Sequence, residues 1–161
     1  MYWRGRNKFK TVELVPNAIA NLIQAKEVTF AENGAGTYTG SVSLPAGSTV
    51  IDVIVHAVAL WTAGTSAAMI VGDVGDPNGF FNAVNLKATD LLAGESISFS
   101  HAGGKQGADL DVADGHVRRR YLATARVISG IITSVGAGTA GRTRMTVLWV
   151  APSTETVATK A

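Results

Sequence analysis

Cysteine is absent from the 161 residues of this chain, so disulfides and thiolate metal sites are excluded. Charge is also scarce, because Asp, Glu, Lys and Arg make up only 16% of the residues, against roughly a quarter in an average soluble domain. Hydrophobic residues make up 47%. Such a chain either buries much of its surface in an assembly or exposes an exterior with few charges.

Long apolar runs and catalytic motifs are missing as well. The run over residues 50–61 contains Asp52 and His56 and falls short of the roughly 20 apolar residues that a membrane span needs. No G-x-S-x-G elbow is present, and the glycine-rich turns are not followed by the helix that a phosphate-binding loop requires. The sequence therefore predicts no membrane association, no enzymatic activity and no cofactor.

What the chain does contain is a series of short strand signals separated by turns. Tyr38, Val42 and Leu44 alternate with Thr and Ser, which is typical of a strand with one buried face. Residues 50–61 are apolar almost throughout and predict a strand covered on both faces, by the core and by a second sheet or subunit. Seven to nine such strands with little helix predict an all-β fold, an antiparallel β-sandwich of the jelly-roll type.

The predicted sandwich covers residues 27–151. Residues 1–26 form an extended N-terminal arm and a short connecting segment, and residues 152–161 form a polar C-terminal tail. Asn17 is suited to cap a helix over residues 18–26, although the same residues could equally be extended.

Three assignments inside the sandwich depend on local residue chemistry. Residues 73–79 contain Asp-Pro-Asn-Gly and predict a polar loop. Residues 102–115 are rich in Gly and Asp and predict a second, longer loop. Residues 121–135 are rich in Thr, Val and Ile and predict a strand with a bulge at Gly130.

Two groups of side chains contain residue types that bind metal ions. Asp73, Asp76 and Asn78 resemble part of a calcium loop, but their spacing does not fit an EF-hand and the same residues form ordinary turns. The chain has three histidines, His56, His101 and His116. They lack the paired spacing of zinc sites. The sequence therefore predicts a plain loop and an interior or interface His56, with no metal site.

The first ten residues concentrate positive charge without any acid, and aromatic side chains are interleaved with the cations. Four of the 14 basic residues lie there, which leaves ten against twelve acidic residues in the rest of the chain. This composition predicts a docking arm that meets acidic groups and apolar clefts on a neighbouring protein, with nucleic-acid binding as the alternative. The arm residues are Tyr2, Trp3, Arg4, Arg6, Lys8, Phe9 and Lys10.

A second basic cluster is formed by Arg118, Arg119 and Arg120, which follow an aspartate-rich loop. If the cluster lies in a strand, its first and last arginines share one face and the middle one lies on the other. Three arginines cannot all be core residues. The alternatives are an ion-paired sheet edge or a contact with another subunit, where arginine is favoured for its bidentate pairing. A phosphate or nucleic-acid clamp is a third possibility.

The region over residues 36–99 also resembles a family of small β proteins encoded among the virion genes of tailed bacteriophages. The resemblance rests on Ala-Gly-Thr at residues 63–65, Val-Gly-Asp at residues 71–73 and Gly-Phe at residues 79–80. It continues more weakly in RRYLATARVISG and GRTRMTVLWV. These residues are architectural and not catalytic.

The resemblance implies a structural virion protein, most similar to a capsid decoration (cement) protein. Such a protein is expected to form a homo-oligomer, most often a trimer, and to bind the major capsid protein at the capsid surface after synthesis in the host cytoplasm. Direct nucleic-acid binding is not expected. A neck or tail component is the alternative. A carbohydrate-binding β-sandwich would need exposed aromatics, for which the candidates are Tyr2, Trp3 and Trp61.

Overall fold

The computed structural model describes residues 23–110 and 117–152, which form eight β-strands. No helix occurs within these two ranges, so none of them contains a helix long and apolar enough to cross a membrane. The strands are β1 (Ile23–Ala31), β2 (Gly36–Leu44), β3 (Thr49–Ala59), β4 (Ser66–Asp73), β5 (Asp76–Asn85), β6 (Ser96–Ile97), β7 (Arg126–Val135) and β8 (Arg142–Val150).

The strands form two antiparallel four-stranded sheets. The first sheet has the order β1-β8-β3-β6 and the second has the order β2-β7-β4-β5. The pairs are nested, since β4 pairs with β5, β3 with β6, β2 with β7 and β1 with β8. This arrangement is a long hairpin wrapped into a sandwich, which is the jelly-roll topology. The predicted all-β sandwich of the jelly-roll type is confirmed.

The core lies between the sheets and follows the alternation of side chains along each strand. In β8, Met145, Val147 and Trp149 face the core, as the sequence predicts. In β3, the residues Val50, Val53, Val55 and Ala57 are buried, but the opposite side chains are only half-buried or exposed. Within the described residues the core covers one face of this strand and no second sheet covers the other, so cover by a second subunit stays a prediction.

Gly130 marks close packing and not the predicted bulge. The register of β7 is unbroken against both β2 and β4. A Cβ at Gly130 would lie 2.5 Å from Met69 Cε and 3.0 Å from the ring of Phe30. Gly40, its partner in β2, is crowded by the same ring at 2.9 Å. The two glycines form a notch in the second sheet that receives Phe30 from the first.

Two segments differ from the strands and loops predicted for them. The strand β1 begins at Ile23, so the last four residues of the possible helix over 18–26 are extended and pair with β8. Residues 73–79 are not a loop, because Asp73 and Asp76 pair across a tight hairpin and β5 continues through Pro77. Proline is tolerated there since β5 is an edge strand.

Candidate functional site

Three connections between the two sheets lie at one end of the sandwich, here called the arch end, and Glu32 joins them. They follow β1, β3 and β7. The Oε2 atom of Glu32 accepts hydrogen bonds from the Thr62 backbone N–H and hydroxyl, both at 2.9 Å. It also accepts from the N–H groups of Ala140 at 3.2 Å and Gly141 at 2.9 Å. One carboxylate therefore connects all three arches.

The environment of Glu32 favours its charged form. Burial by itself raises the pKa, because the carboxylate is only 5% exposed. The hydrogen bonds from Thr62 and Gly141 outweigh burial and hold the pKa of Glu32 below its ordinary value. Glu32 is therefore an ionised structural anchor at the pH of most cells.

The opposite end, here called the hairpin end because it holds the β4–β5 hairpin, contains a buried ion network around Asp73. Arg119 Nη2 lies 2.6 Å from Asp73 Oδ1, and Arg126 Nη1 lies 3.6 Å from Asp73 Oδ2. Asp73 Oδ1 also accepts the backbone N–H groups of Gly75 at 2.9 Å and Asp76 at 3.2 Å. Arg126 donates to the carbonyl oxygens of residues 119 and 120.

The pKa values in this network move in opposite directions. Burial raises the pKa of Asp73, but the hydrogen bonds from Arg119 and Gly75 prevail and lower it. Burial raises the pKa of Asp109, and Arg119 at 3.5 Å only partly opposes that shift. The hydrogen bond to Asp73 raises the pKa of Arg119. The network holds the β4–β5 hairpin against the segment from Arg119 to Arg126, which leads into β7.

This arrangement bears on the calcium alternative. Both carboxylate oxygens of Asp73 are already engaged by Arg119, Arg126 and backbone N–H groups. The described residues contain no group of three side chains suited to a metal ion. His56 lies on the outer face of the first sheet opposite Arg144, and His101 is exposed. His116, Asp111 and Asp114 lie outside the described residues.

The three adjacent arginines do not lie in a strand, because β7 begins only at Arg126. Arg119 has a positive φ of 53° and belongs to the ion network. Arg120 donates to the carbonyl of Ile51 and lies 5.4 Å from the centre of the Phe99 ring. Arg118 is exposed. The predicted alternation of faces is wrong, and the ion-paired alternative describes Arg119.

A cleft of about 340 Å³ lies beside the network and is lined by Asp73, Arg119, Arg126 and small or apolar residues. Its charged groups are paired with one another. The cleft thus presents neither a free acid–base pair nor an activated nucleophile among its lining residues.

The outer face of the second sheet carries no ionisable side chain on β2, β7 or β4, and is here called the neutral face. Register places the outward residues of the three strands side by side, and Ser41 and Ser129 are hydrogen-bonded across it at 3.0 Å. The outward residues are Thr37, Thr39, Ser41, Ser43, Ser66, Ala68, Ile70, Val127, Ser129, Ile131, Thr133 and Val135.

The outer face of the first sheet is different in character. Arg142 and Arg144 lie on it, and Arg144 is 3.7 Å from Glu27 on the neighbouring strand. Asp52 and His56 lie on the same face of β3, because side chains four residues apart in a strand point the same way. Among the described residues, formal charge is therefore concentrated on one face and at the two ends, and the outward residues of β2, β7 and β4 have none.

Other predicted site residues are placed as follows. Tyr2, Trp3, Arg4, Arg6, Lys8, Phe9 and Lys10 lie outside the described residues. Trp61 is buried, packs edge-on against Tyr38 with ring centres 5.0 Å apart, and donates its indole N–H to Thr143 Oγ1 at 2.9 Å. It cannot stack on a sugar, which weakens the carbohydrate-binding alternative.

Sequence reasoning missed Glu32 and the pairing of Asp73 with Arg119. Both contacts join residues that are distant along the chain, by 30 to 109 positions for Glu32 and 46 for Asp73. A lone acidic residue in a glycine-rich turn carries no signal of such a role. The neutral face did leave a signal, because Thr and Ser occupy every outward position of β2.

Comparison with known proteins adds the following. No protein-family model and no curated protein sequence matches the chain. A chain in the "acidic stable" capsid structure of Helicobacter pylori bacteriophage KHP30 is similar over 82% of this chain and 90% of its own, with a TM-score of 0.57 and 16% identity.

Two further solved structures give comparable matches. A chain of the cyanophage Pam1 capsid asymmetric unit is similar over 81% of this chain and 85% of its own, with a TM-score of 0.51 and 19% identity. A chain of the Ralstonia phage GP4 capsid is similar over 84% and 88%, with a TM-score of 0.50 and 18% identity. At these identities the likeness establishes a shared fold.

Proposed function

We propose that this protein is a structural component of a bacteriophage capsid, and specifically a decoration protein that binds the assembled shell through protein–protein contacts. The observation that carries the proposal is the neutral face, a sheet surface three strands wide without an ionisable side chain. Chains of three phage capsid structures share the fold, which supports the same function.

The neutral face suits a permanent contact in physical terms. Burying a charge without a partner costs several kcal/mol, whereas Ser and Thr hydroxyls can be satisfied by a partner's backbone or by interfacial water. A surface without charge therefore imposes little desolvation cost when it is covered. Its occupant in this proposal is the uncharged surface of a shell subunit.

The N-terminal arm and the basic cluster complete the proposed interface. The four cations of residues 1–10 would pair with acidic groups of the shell, and Tyr2, Trp3 and Phe9 would fill apolar clefts there. Arg118 is the exposed member of its cluster and in this proposal contacts a neighbouring subunit. Copies of the chain would associate as trimers at junctions between major capsid subunits.

A matched pair of substitutions tests the proposal. Thr39 and Thr29 are exposed threonines on edge strands of the two sheets, Thr39 on the neutral face and Thr29 on the charged one. We expect Thr39→Lys to weaken binding to shells that lack this protein at least tenfold, because the lysine is buried without a partner. Thr29→Lys adds the same charge elsewhere and should change the affinity less than twofold.

Binding is measured by co-sedimentation with DNA-free shells, and both variants are first checked for an unchanged melting temperature. Equal affinities for the two variants would contradict a role for the neutral face. Binding to tail or neck particles and not to shells would instead support the alternative virion position.

A further inference from the structure

A second uncovered surface lies on the outer face of the first sheet, at the hairpin end. Ile23 is opposite Val150, Val150 is opposite Thr49, and Thr49 is opposite Tyr121. Directly opposed residues in antiparallel pairs share a face, so these four lie in one row. Three strand spacings of about 4.8 Å make the row about 14 Å wide.

Apart from Thr49 the row is apolar, and its two ends are open to solvent. Ile23 is 60% exposed and Tyr121 is 59% exposed. Ala25 and Leu148 form the next row towards the arch end and are also opposite each other. We call Ile23, Ala25, Tyr121, Leu148 and Val150 the apolar strip. Asp52 lies opposite Leu148 and bounds the strip on β3, and further along the same face Arg144 lies beside Glu27.

The chain itself supplies a segment of matching chemistry at the edge of the strip. Residues 12–22 immediately precede Ile23 and carry one acidic and no basic side chain. Five of the eleven residues are large and aliphatic, namely Val12, Leu14, Val15, Ile19 and Leu22. Extended, eleven residues reach about 36 Å, more than twice the width of the strip.

Covalent attachment favours this segment over a separate molecule as the occupant of the apolar strip. Residue 22 is bonded to Ile23, so the segment is held near the strip at an effective concentration in the millimolar range. It covers the strip without the loss of translational freedom that a second copy would incur. Pro16 also favours an extended or turned backbone at Val15, which suits a chain that reverses direction after leaving the sheet.

We propose that residues 12–22 of the same chain fold back over the apolar strip. The strip is thereby an intramolecular docking site for this segment. The segment is attached at Ile23 on the first sheet, and the neutral face lies on the second. The inference concerns the isolated protein and holds whether or not the protein binds a shell.

The absence of cysteine allows a direct test by cross-linking. Tyr121→Cys is combined in turn with Val12→Cys, Leu14→Cys, Val15→Cys or Ile19→Cys, and each full-length variant is oxidised at low concentration. The control replaces the first partner by Thr133→Cys, which is exposed on the neutral face. We expect at least one segment position to cross-link to residue 121 within one chain at ten times the rate seen with residue 133.

Two results would overturn the proposal. One is equal rates for residues 121 and 133, and the other is a cross-link that joins two chains, which would make a second copy the occupant. Non-reducing electrophoresis with peptide mapping separates the two kinds of product.

A second measurement avoids engineered disulfides. Oxidative footprinting of Tyr121 is compared between three chains. They are the natural chain, the variant Leu14→Asp/Val15→Asp and the control Thr156→Asp/Val157→Asp. We expect the first variant to raise Tyr121 modification about fivefold and the control to leave it unchanged. Equal modification in all three chains would show that residues 12–22 do not cover the strip.

Discussion

Replacement of Glu32 by glutamine probes the anchor of the arch end with almost no change in shape. The Oε2 atom accepts four hydrogen bonds, three from backbone N–H groups and one from the Thr62 hydroxyl. In Glu32→Gln the amide oxygen keeps these donors, so the NH₂ group must occupy the Oε1 position. The Ala63 backbone N–H also helps to lower the pKa of Glu32, so the uncharged glutamine loses that interaction as well.

The magnitude follows from the loss of charge. Hydrogen bonds to an ionised group contribute about 1.5–3 kcal/mol each and neutral ones about 0.5–1.5. Only the Gly141 bond is fully buried, and the donors at Thr62 and Ala140 can reach water. We therefore expect a loss of about 2 kcal/mol in the free energy of unfolding at pH 7. For a chain of this size that corresponds to a fall in melting temperature of about 4–8 °C.

The effect should depend on pH with a defined sign. The folded-state pKa of Glu32 lies below its ordinary value of 4.5, so the stability from ionisation is complete above pH 4.5. It is lost as the pH falls through the folded-state pKa. The difference between the natural chain and Glu32→Gln should accordingly be greatest near neutrality and shrink on acidification.

Differential scanning calorimetry at several pH values measures this difference. Glu27→Gln is the matched control. Glu27 is exposed, and the substitution removes only its ion pair with Arg144, in which Oε1 and Nε are 3.7 Å apart. Its effect should stay within about 0.5 kcal/mol. A Glu32→Gln difference that is equally small, or that does not change between neutral and acidic pH, would refute the reasoning.

Three further predictions concern the hairpin end and assembly. Arg119→Ala leaves the buried Asp73 paired with Arg126 but not with Arg119. Urea unfolding should show a loss of about 2 kcal/mol in the free energy of unfolding, a moderate value because Arg119 is partly exposed. The control Arg142→Ala, at an exposed position, should change that free energy by less than about 0.5 kcal/mol. A chain truncated to begin at Thr11 should keep its β-sheet circular dichroism and melting temperature but lose most affinity for DNA-free shells, and equal binding would disprove the docking arm. Sedimentation velocity should detect a trimer, and a well-folded monomer at high micromolar concentration would count against self-assembly in solution.

The fold class could be predicted because its signals are local. Alternating Thr and Ser against Tyr38, Val42 and Leu44 defines β2, and the apolar face of β8 is equally regular. The hairpin at Asp73 and Asp76 could not be predicted in the same way. Its Asp-Pro-Asn-Gly sequence is typical of loops, and only the edge position of β5 makes a strand possible there.

The candidate sites depend on tertiary contacts and were accordingly harder to predict. The prediction of a bulge at Gly130 is wrong because glycine is favoured both in a bulge and where another residue packs against the backbone. The sequence is the same in the two cases, and only the position of Phe30 from the opposite sheet distinguishes them. The roles of Glu32 and Arg119 depend on donors and acceptors brought together by the wrapped topology. The sequence pattern shows which residues are present but not which of them are in contact in the folded chain.

The nested strand order also dictates how the chain can fold. Both of the last two strands occupy central positions, β7 between β2 and β4 and β8 between β1 and β3. Ribosomal synthesis delivers β1 to β4 first, and neither sheet can close until β7 and β8 insert. Such long-range pairing is intrinsically slow. The edges of β1, β2, β3 and β4 that pair with β7 and β8 therefore stay unpaired until those two strands have been synthesised.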